Sequence, residues 1–118
     1  MTDIKALALA ALSALPASVT DACGAAEEAL PVITLEEEQA SVFRQADGRP
    51  YLYEHVLSVQ IYARTAAERD SLFHSAEAAL SEAGLRLVSA QNLWDEAARA
   101  YRKSARFRCL SHHQTICQ

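Results

Sequence analysis

The chain has 118 residues, of which 51% are hydrophobic, and a formal net charge of −4. This length supports one domain with a real core and is too short for two, so we expect residues 1–118 to form a single domain. No apolar run approaches the roughly 18 residues of a membrane span. The acidic balance also argues against sequence-specific nucleic-acid binding.

Charge is unevenly distributed along the chain. Residues 1–60 carry three basic residues against nine acidic ones, whereas residues 61–118 carry eight basic against six acidic. The sharpest contrast is between the acidic triplet Glu36–Glu38 and the acid-free run Arg99–Arg108. Such polarity suits head-to-tail self-association, although two solvated faces that never meet would give the same pattern.

Cysteine usage and the N-terminus bear on the compartment. Cys23, Cys109 and Cys117 are odd in number and have no framework spacing, so reduced thiols in a cytosolic setting are expected. The N-terminal run ALALAALSALPA resembles the apolar part of an export signal. Against this, Asp3 cancels Lys5, and a charge stands where a lipoprotein cleavage site needs a small neutral residue. We therefore predict a first helix rather than a signal.

The first half of the chain predicts one helix followed by strands. Apolar residues recur at helical spacing until Pro16 stops the run, so residues 1–16 are predicted to form an N-terminal helix. Residues 17–20 allow a short strand. Leu30–Leu35 is a β-rich run whose proline stands near its start, where a missing N–H is tolerated. The acidic triplet follows and is interpreted as a solvated edge at the end of this strand.

A long hairpin is predicted over residues 39–64. Ala40–Gln45 is extended, and Asp47-Gly48 gives a turn signal. From Tyr51 to Ala63 the odd positions are mostly apolar and share one face, while the polar residues Glu54, Ser58, Gln60 and Arg64 lie on the other. This alternation predicts a half-buried strand.

An amphipathic helix is predicted to follow the hairpin directly. Thr65 and Glu68 have the spacing of a capping box, in which hydroxyl and carboxylate each satisfy an orphan backbone N–H. Apolar residues then recur at three- and four-residue steps from Leu72 to Ala83. Gly84 supplies the left-handed residue that commonly ends a helix.

Two more strands complete the predicted fold. Residues 85–90 alternate as a strand, residues 91–97 form a connection, and residues 98–109 alternate as a closing strand. Residues 111–118 are predicted to be a flexible polar tail. The expected fold class is α+β: an antiparallel or mixed sheet with a long hairpin, packed by the N-terminal helix and the central amphipathic helix.

Four residues with metal-ligand side chains lie within nine positions of one another near the C-terminus: Cys109, His112, His113 and Cys117. Structural zinc sites usually draw their ligand pairs from segments separated by roughly a dozen residues, because a tetrahedral site needs the chain to fold back. That loop is missing here. No metal site is predicted, and the role of these four residues stays open.

Catalytic patterns are also weak. His55 lies on the apolar face of the hairpin strand, where a hydrogen-bonded core histidine is a better interpretation than a catalyst. The sequence has no Gly-rich phosphate loop and no Gly-x-Ser-x-Gly, and nothing local supports Cys23 or Cys109 as a thiol nucleophile, so neither an enzyme nor a cofactor is predicted. Alternation in the closing strand places Arg102, Arg106 and Arg108 on one face, where they can contact phosphates, keep the sheet soluble or meet acids of a neighbouring subunit.

The order and spacing of these segments resemble the tail-terminator, or tail-completion, proteins of long-tailed bacteriophages and phage-like particles. The resemblance covers about residues 3–110, and no single motif in it is specific. It is carried by the N-terminal alanine/leucine helix, Leu30–Leu35, Val56–Arg64 leading to Glu68, Gly84, Trp94-Asp95, Tyr101–Lys103 and Arg106–Arg108.

This resemblance implies an α+β sandwich that forms a hexameric ring on the tail tube. Such a ring stops addition of the major tail tube protein and presents the surface that a head-completion or neck protein joins. DNA passes through its lumen without sequence-specific binding, and the family offers no catalytic residues to carry over. The implied location is the head-proximal end of the virion tail, with assembly in the host cytoplasm. Candidate subunit-interface or lumen residues are Glu36, Glu37, Glu38, Arg102, Arg106 and Arg108.

Two other interpretations remain open at this point. A neck or head-completion ring protein is also small and carries equally weak motifs. A small ferredoxin-like partner-binding domain would share the helix-over-sheet pattern but would be a monomer or dimer.

Overall fold

The computed structural model of the protein describes residues 4–20, 30–46, 49–112 and 116–117, with side chains described for 4–20, 30–38 and 53–110. The described part of the chain contains two helices and a mixed sheet, which confirms the predicted α+β class. The predicted turn at Asp47-Gly48 lies outside it. The elements in chain order are α1 (Ile4–Leu12), β1 (Ser18–Thr20), β2 (Val32–Ala46), β3 (Arg49–Ala63), α2 (Ala66–Glu82), β4 (Arg86–Asp95), β5 (Ala100–His112) and β6 (Ile116–Cys117).

The sheet has the strand order β1-β2-β3-β5-β4, and β6 pairs with the end of β5. Only β1 and β2 are parallel; the other pairs are antiparallel. Strand β3 lies at the centre and pairs with β5 from Tyr53–Ser111 to Ala63–Tyr101 without a shift in register. Strands β2 and β3 form the predicted hairpin, which is longer than expected because β2 already begins at Val32.

Both helices pack against one face of this sheet, here called the covered face, and the other is called the open face. Leu57, Val59 and Ile61 of β3 have no exposed surface, as their alternation predicted. They form one cluster with the buried residues of both helices and of β5. The helical and β5 members are Ile4, Ala8, Leu12, Leu72, Ala76, Leu80, Ala105, Phe107 and Cys109.

Helix α2 has the predicted start and end. Thr65 Oγ1 accepts a hydrogen bond from the Glu68 N–H at 3.1 Å, while the Glu68 carboxylate accepts the N–H of Arg64 at 3.0 Å. At the other end Gly84 has φ 100°, and the N–H groups of Gly84 and Leu85 donate to the carbonyls of Ser81 and Leu80. These two bonds form a Schellman motif, which satisfies carbonyls that the helix leaves free.

Helix α1 is shorter than predicted. It ends at Leu12, and the following turn is tightened by a bond from the Leu15 N–H to the Leu12 carbonyl at 3.1 Å. The Ser13 hydroxyl also donates to the Ala10 carbonyl at 2.8 Å. Because a proline at 16 disfavours the helical conformation of the residue before it, the chain leaves the helix ahead of Pro16.

Three strands are longer than the sequence indicated. β2 continues through the acidic triplet instead of ending there. β4 extends to Asp95, so the segment 91–97 is mostly strand rather than connection, and a turn at 96–99 joins it to β5. β5 continues to His112 and pairs with β6, so the sheet extends into the segment expected to be a polar tail.

A second, smaller cluster lies on the open face. Tyr62, which alternation places on the polar side of β3, is only 3% exposed and packs with Leu30, Ala98 and Ala100. The segment before β2 and the β4–β5 turn therefore cover one end of a face that the sequence predicted to be solvated.

Phe107→Ala tests the central position of β5 in the core. Phe107 is fully buried, so its truncation should lower the free energy of unfolding by about 3–5 kcal/mol through lost burial and the cavity left behind. Urea denaturation followed by circular dichroism measures the change. Val88→Ala, at a residue that is 56% exposed, is the matched control and should change stability by less than about 0.5 kcal/mol. A loss below about 1 kcal/mol for Phe107→Ala would contradict this core assignment.

Candidate interaction surface on the open face

The open face brings together arginines of β5 and carboxylates of three other strands. In the β3–β5 register Arg102, Arg106 and Arg108 lie opposite Tyr62, Ser58 and Val56. These positions face away from the core residues Phe107 and Leu57, as the alternation predicted. The three arginines thus form a row along one strand on the face that α1 and α2 leave uncovered.

Arg106 makes the closest charged contact on this face. Its Nε and Nη2 each lie 2.9 Å from Glu38 Oε2, and the two residues are 68 positions apart in sequence. The contact passes over the central strand β3. The side chain of Arg106 remains 54% exposed, so water screens the pair and its contribution to stability is small.

The other two arginines also have partners within the chain. Arg108 Nη1 lies 3.2 Å from Glu54 Oε2 on β3. Arg102 Nη1 lies 3.5 Å from Asp95 Oδ2 at the end of β4, and its guanidinium lies over the Tyr62 ring at 5.6 Å from the ring centroid. Each predicted arginine therefore has a carboxylate neighbour, and the face alternates in charge rather than forming a basic stripe.

A glutamine that the sequence analysis did not single out organises the polar centre of this face. Gln60 donates from Nε2 to the hydroxyls of Ser58 at 2.8 Å and Ser104 at 3.0 Å, and its Oε1 accepts from Arg102 Nε at 2.8 Å. The amide donor and acceptor of Gln60 are both satisfied, and the bond that it accepts from Nε helps to orient the Arg102 guanidinium. In the sequence Gln60 is distinguished only by being a polar residue at an even position of β3, and this does not predict its contacts.

The acidic triplet is divided between the two faces. Glu36 lies opposite Ser58 on the open face, and Glu38 contacts Arg106 there. Glu37 lies opposite Leu57, on the covered side, and its Oε2 is 3.0 Å from His55 Nδ1. His55 is buried and hydrogen-bonded, which confirms the interpretation of a core histidine.

The expectation that the cysteines are reduced thiols is corrected at Cys109. Cys109 is buried on the covered face and is disulfide-bonded, so the expectation of a reduced thiol is wrong for this residue. A sulfur in a disulfide is not a thiolate and cannot serve as a zinc ligand in that form. Within the described residues no group of His, Cys, Asp and Glu side chains could hold a metal ion. The side chains of His112, His113 and Cys117 lie outside that set.

A mixed aromatic and charged cluster lies where α2 meets β5 and β4 on the covered face. Lys103 Nζ is 4.4 Å from the Phe73 ring centroid and 4.0 Å from Asp70 Oδ1. The Arg69 guanidinium lies 5.9 Å from the Tyr101 ring centroid, and Arg69 Nε donates to Asp70 Oδ1 at 2.9 Å. This hydrogen bond, with the charges of Arg69 and Lys103, holds the pKa of Asp70 below its ordinary value.

Trp94 extends this cluster onto β4. Its ring is edge-on to Tyr101 at a centroid distance of 5.2 Å, and its Nε1 donates to Glu96 Oε2 at 2.6 Å. Trp94 nevertheless remains 53% exposed. The covered face is therefore packed by helices over β3 and β5 but becomes a solvent-facing surface at β4.

No helix in the described ranges is both long enough and apolar enough to cross a membrane. No protein-family model and no curated protein matches the sequence. The fold is similar to a chain in a solved structure described as "Virion of native gene transfer agent (GTA) particle", with a TM-score of 0.63 and 17% sequence identity. The match covers 93% of this chain and 95% of that chain. At this identity the likeness is one of fold.

Arg69→Gln tests the electrostatics of the α2 cluster. Removing the guanidinium should raise the pKa of Asp70 toward its ordinary value, because the strongest hydrogen bond to the carboxylate is lost. Because the folded-state pKa is depressed, the ion pair stabilises the fold above the ordinary carboxyl pKa, and this stabilisation is lost as pH falls through the folded value. Carboxyl-detected NMR titration of Asp70 measures the shift. Arg64→Gln, an exposed arginine outside the cluster, is the control, and an equal shift in both variants would contradict the local cause.

Proposed function

We propose that this chain is a structural, non-catalytic protein of a phage-like virion, and that it forms a ring that caps the tail tube. The observation that carries the proposal is the shared fold over 93% of the chain with a chain of a gene transfer agent particle. The order of sequence segments that resembles tail terminators supports the same proposal.

The proposed ring is a hexamer of one domain spanning residues 1–118. It stops addition of the major tail tube protein at the head-proximal end of the tail and presents the surface that a head-completion or neck protein joins. Assembly takes place in the host cytoplasm, and the ring stays in the virion. All of these functions need a surface of fixed shape rather than a reactive group, which agrees with a site made of ion pairs and hydrogen bonds.

The open face suits a lumen through which DNA passes. DNA is retained by free cations, because each phosphate contact with Lys or Arg releases a counterion. On this face Arg106 and Arg108 are held by Glu38 and Glu54. Glu36 and Arg102 lie on the same face and complete the proposed lumen set, and Glu37, on the covered side, is assigned to the subunit interface. Arginines neutralised by carboxylates of the same chain provide a polar, hydrated surface with little affinity for phosphates.

Electron microscopy with the candidate tail tube protein tests the ring. Negative-stain images of the protein alone and mixed with polymerising tube subunits should show six-fold rings, or tubes that are shorter and capped at one end. The length distribution of the tubes is the quantitative readout, and a heat-denatured sample of the same protein is the control.

The outcomes separate the alternatives. Tubes that grow to the same length with and without the protein would overturn the terminator proposal. Rings that bind a purified connector but not tube ends would favour a neck or head-completion protein. Monomers or dimers that leave tube growth unchanged would favour a small partner-binding domain.

Neutralising the acids of the open face tests the lumen assignment. The double variant Glu38→Gln/Glu54→Gln removes the negative charges that contact Arg106 and Arg108, so it should bind duplex DNA more tightly than the unaltered protein. The slope of log K against log salt should become more negative by up to about 2, since two more phosphates are contacted. Fluorescence anisotropy over a salt series measures both quantities.

A matched control distinguishes an effect of the open face from an effect of the net charge of the protein. Glu77→Gln/Glu82→Gln makes the same charge change on α2, away from the open face. It should leave the salt dependence unchanged. Equal gains in DNA binding for both double variants would contradict a specific function of the open face.

A further inference from the structure

Strand β4 has an unusual surface for the end of a sheet. In the described part of the chain it pairs only with β5. All residues from Arg86 to Asn92 are exposed. Four large hydrophobic side chains are exposed among the described residues, and all are on β4 or directly beside it: Leu87, Val88, Trp94 and Tyr101.

The β4 edge also has little of the usual protection. Soluble proteins normally protect an edge strand with charged residues, prolines or bulges, because unpaired N–H and C=O groups can pair with another chain. From Leu87 to Trp94 the strand has neither a charged residue nor a proline. The register shift between Leu87 and Ser89 is its one irregularity, and it leaves Val88 56% exposed and the pairing from Ser89 to Asp95 regular.

The opposite end of the sheet offers a second open edge. Strand β1 pairs with β2 only from Val32 to Thr34. From Leu35 onward, the side of β2 that faces away from β3 pairs with no other described strand. The acidic triplet Glu36–Glu38 lies on this open stretch. One chain therefore has an apolar edge at β4 and an acidic edge at β2.

The two edges are complementary in direction, and β4 begins with one basic residue that can meet the acids of β2. β2 is antiparallel to β3, β3 to β5 and β5 to β4, so β2 and β4 run in opposite directions. A rotation about an axis along the strands preserves these directions, so β4 of one copy would meet β2 of the next as an antiparallel pair. The register also places Glu36 and Ser89 in one row of the sheet, through Ser58 and Arg106. Arg86, near this row, brings a positive charge to the acidic edge.

We propose that copies of this chain associate head to tail by adding the β4 edge of one copy to the β2 edge of the next. Leu87 and Val88 are covered in this contact, and Arg86 faces the acidic triplet. A contact between two different surfaces of one chain generates a closed ring when its rotation closes. The inference rests on the proposed ring function and names the surface that builds the ring.

Two edge variants and their mixture test this contact. Val88→Lys places a charge at the apolar edge, and Glu36→Arg reverses the charge at the other; both residues are exposed, and circular dichroism checks that the variants remain folded. Each variant alone should associate at least about tenfold more weakly than the unaltered chain, because the contact would bury an unpaired charge or place like charges together. Native mass spectrometry over a concentration series, with and without the tail tube protein, measures assembly. Ala78→Lys, at an exposed position of α2, is the control and should assemble normally.

The mixture gives the decisive result. A Val88→Lys chain keeps an intact β2 edge, and a Glu36→Arg chain keeps an intact β4 edge. Mixing them should therefore restore one contact and give a heterodimer that grows no further. Hydrogen exchange of the β4 amides should slow in that heterodimer in the Glu36→Arg chain only, since only that chain uses its β4.

Other results overturn the inference. Variants that assemble as the unaltered chain does, or a Glu36→Arg chain that still dimerises through β4 alone, would exclude this head-to-tail contact. An unaltered chain that stays monomeric both alone and on tube ends would do the same. Tube capping that persists with Val88→Lys would overturn only the β4 contact, whereas a restored heterodimer without any capping by the unaltered chain would overturn only the proposed function.

Discussion

The uninterrupted pairing of β3 with β5 is the constraint on which the rest of the structure depends. Because the register does not shift between Tyr53–Ser111 and Ala63–Tyr101, side-chain alternation stays in phase on both strands. Leu57, Val59 and Phe107 are thereby aligned toward the helices, while the arginines of β5 are aligned on the other face. A register shift of one residue in β5 would turn its core residues toward the open face and its arginines toward the helices. The same register that builds the core therefore builds the candidate interaction surface.

Local patterns in the sequence account for much of this fold, and tertiary contacts account for the rest. The alternation of β3, the cap at Thr65 and the left-handed Gly84 each depend on neighbouring residues, so they were predictable. Strand β4 was predicted only to residue 90, because the adjacent polar residues Gln91 and Asn92 interrupt its alternation and asparagine is depleted in strands. The sequence likewise predicted two separate strands in place of β2, because the acidic triplet interrupts the apolar pattern between them. In the structure, Glu38 and Glu37 contact Arg106 and His55, and these contacts are compatible with a continuous strand. The sequence does not reveal them, because the partners lie 68 and 18 positions away.

The sequence predicted which residues lie on the candidate surface but not which of them contact one another. Alternation alone placed Arg102, Arg106 and Arg108 on one face. Which carboxylate each arginine meets depends on strand order, and the sequence gives no order for strands 68 positions apart. The interpretation of acids and bases as groups awaiting another subunit therefore missed that Glu38 is already the partner of Arg106 in the same chain. Gln60 was missed because one polar residue on a polar face has no distinguishing pattern.

The shifts of register in the β2–β3 hairpin bend it and increase its twist. Between Glu37 and Gln39, β2 contains one residue more than the facing segment of β3, and further irregularities follow between Val42 and Gln45. A strand with more residues than its neighbour over the same span must follow the outer arc of a bend, and its twist increases. The bend of the β2–β3 hairpin at this point therefore depends on the number of residues in β2. Substitutions along this hairpin leave that count intact, whereas deletion of Glu38 would remove the extra residue and reduce the bend at this point.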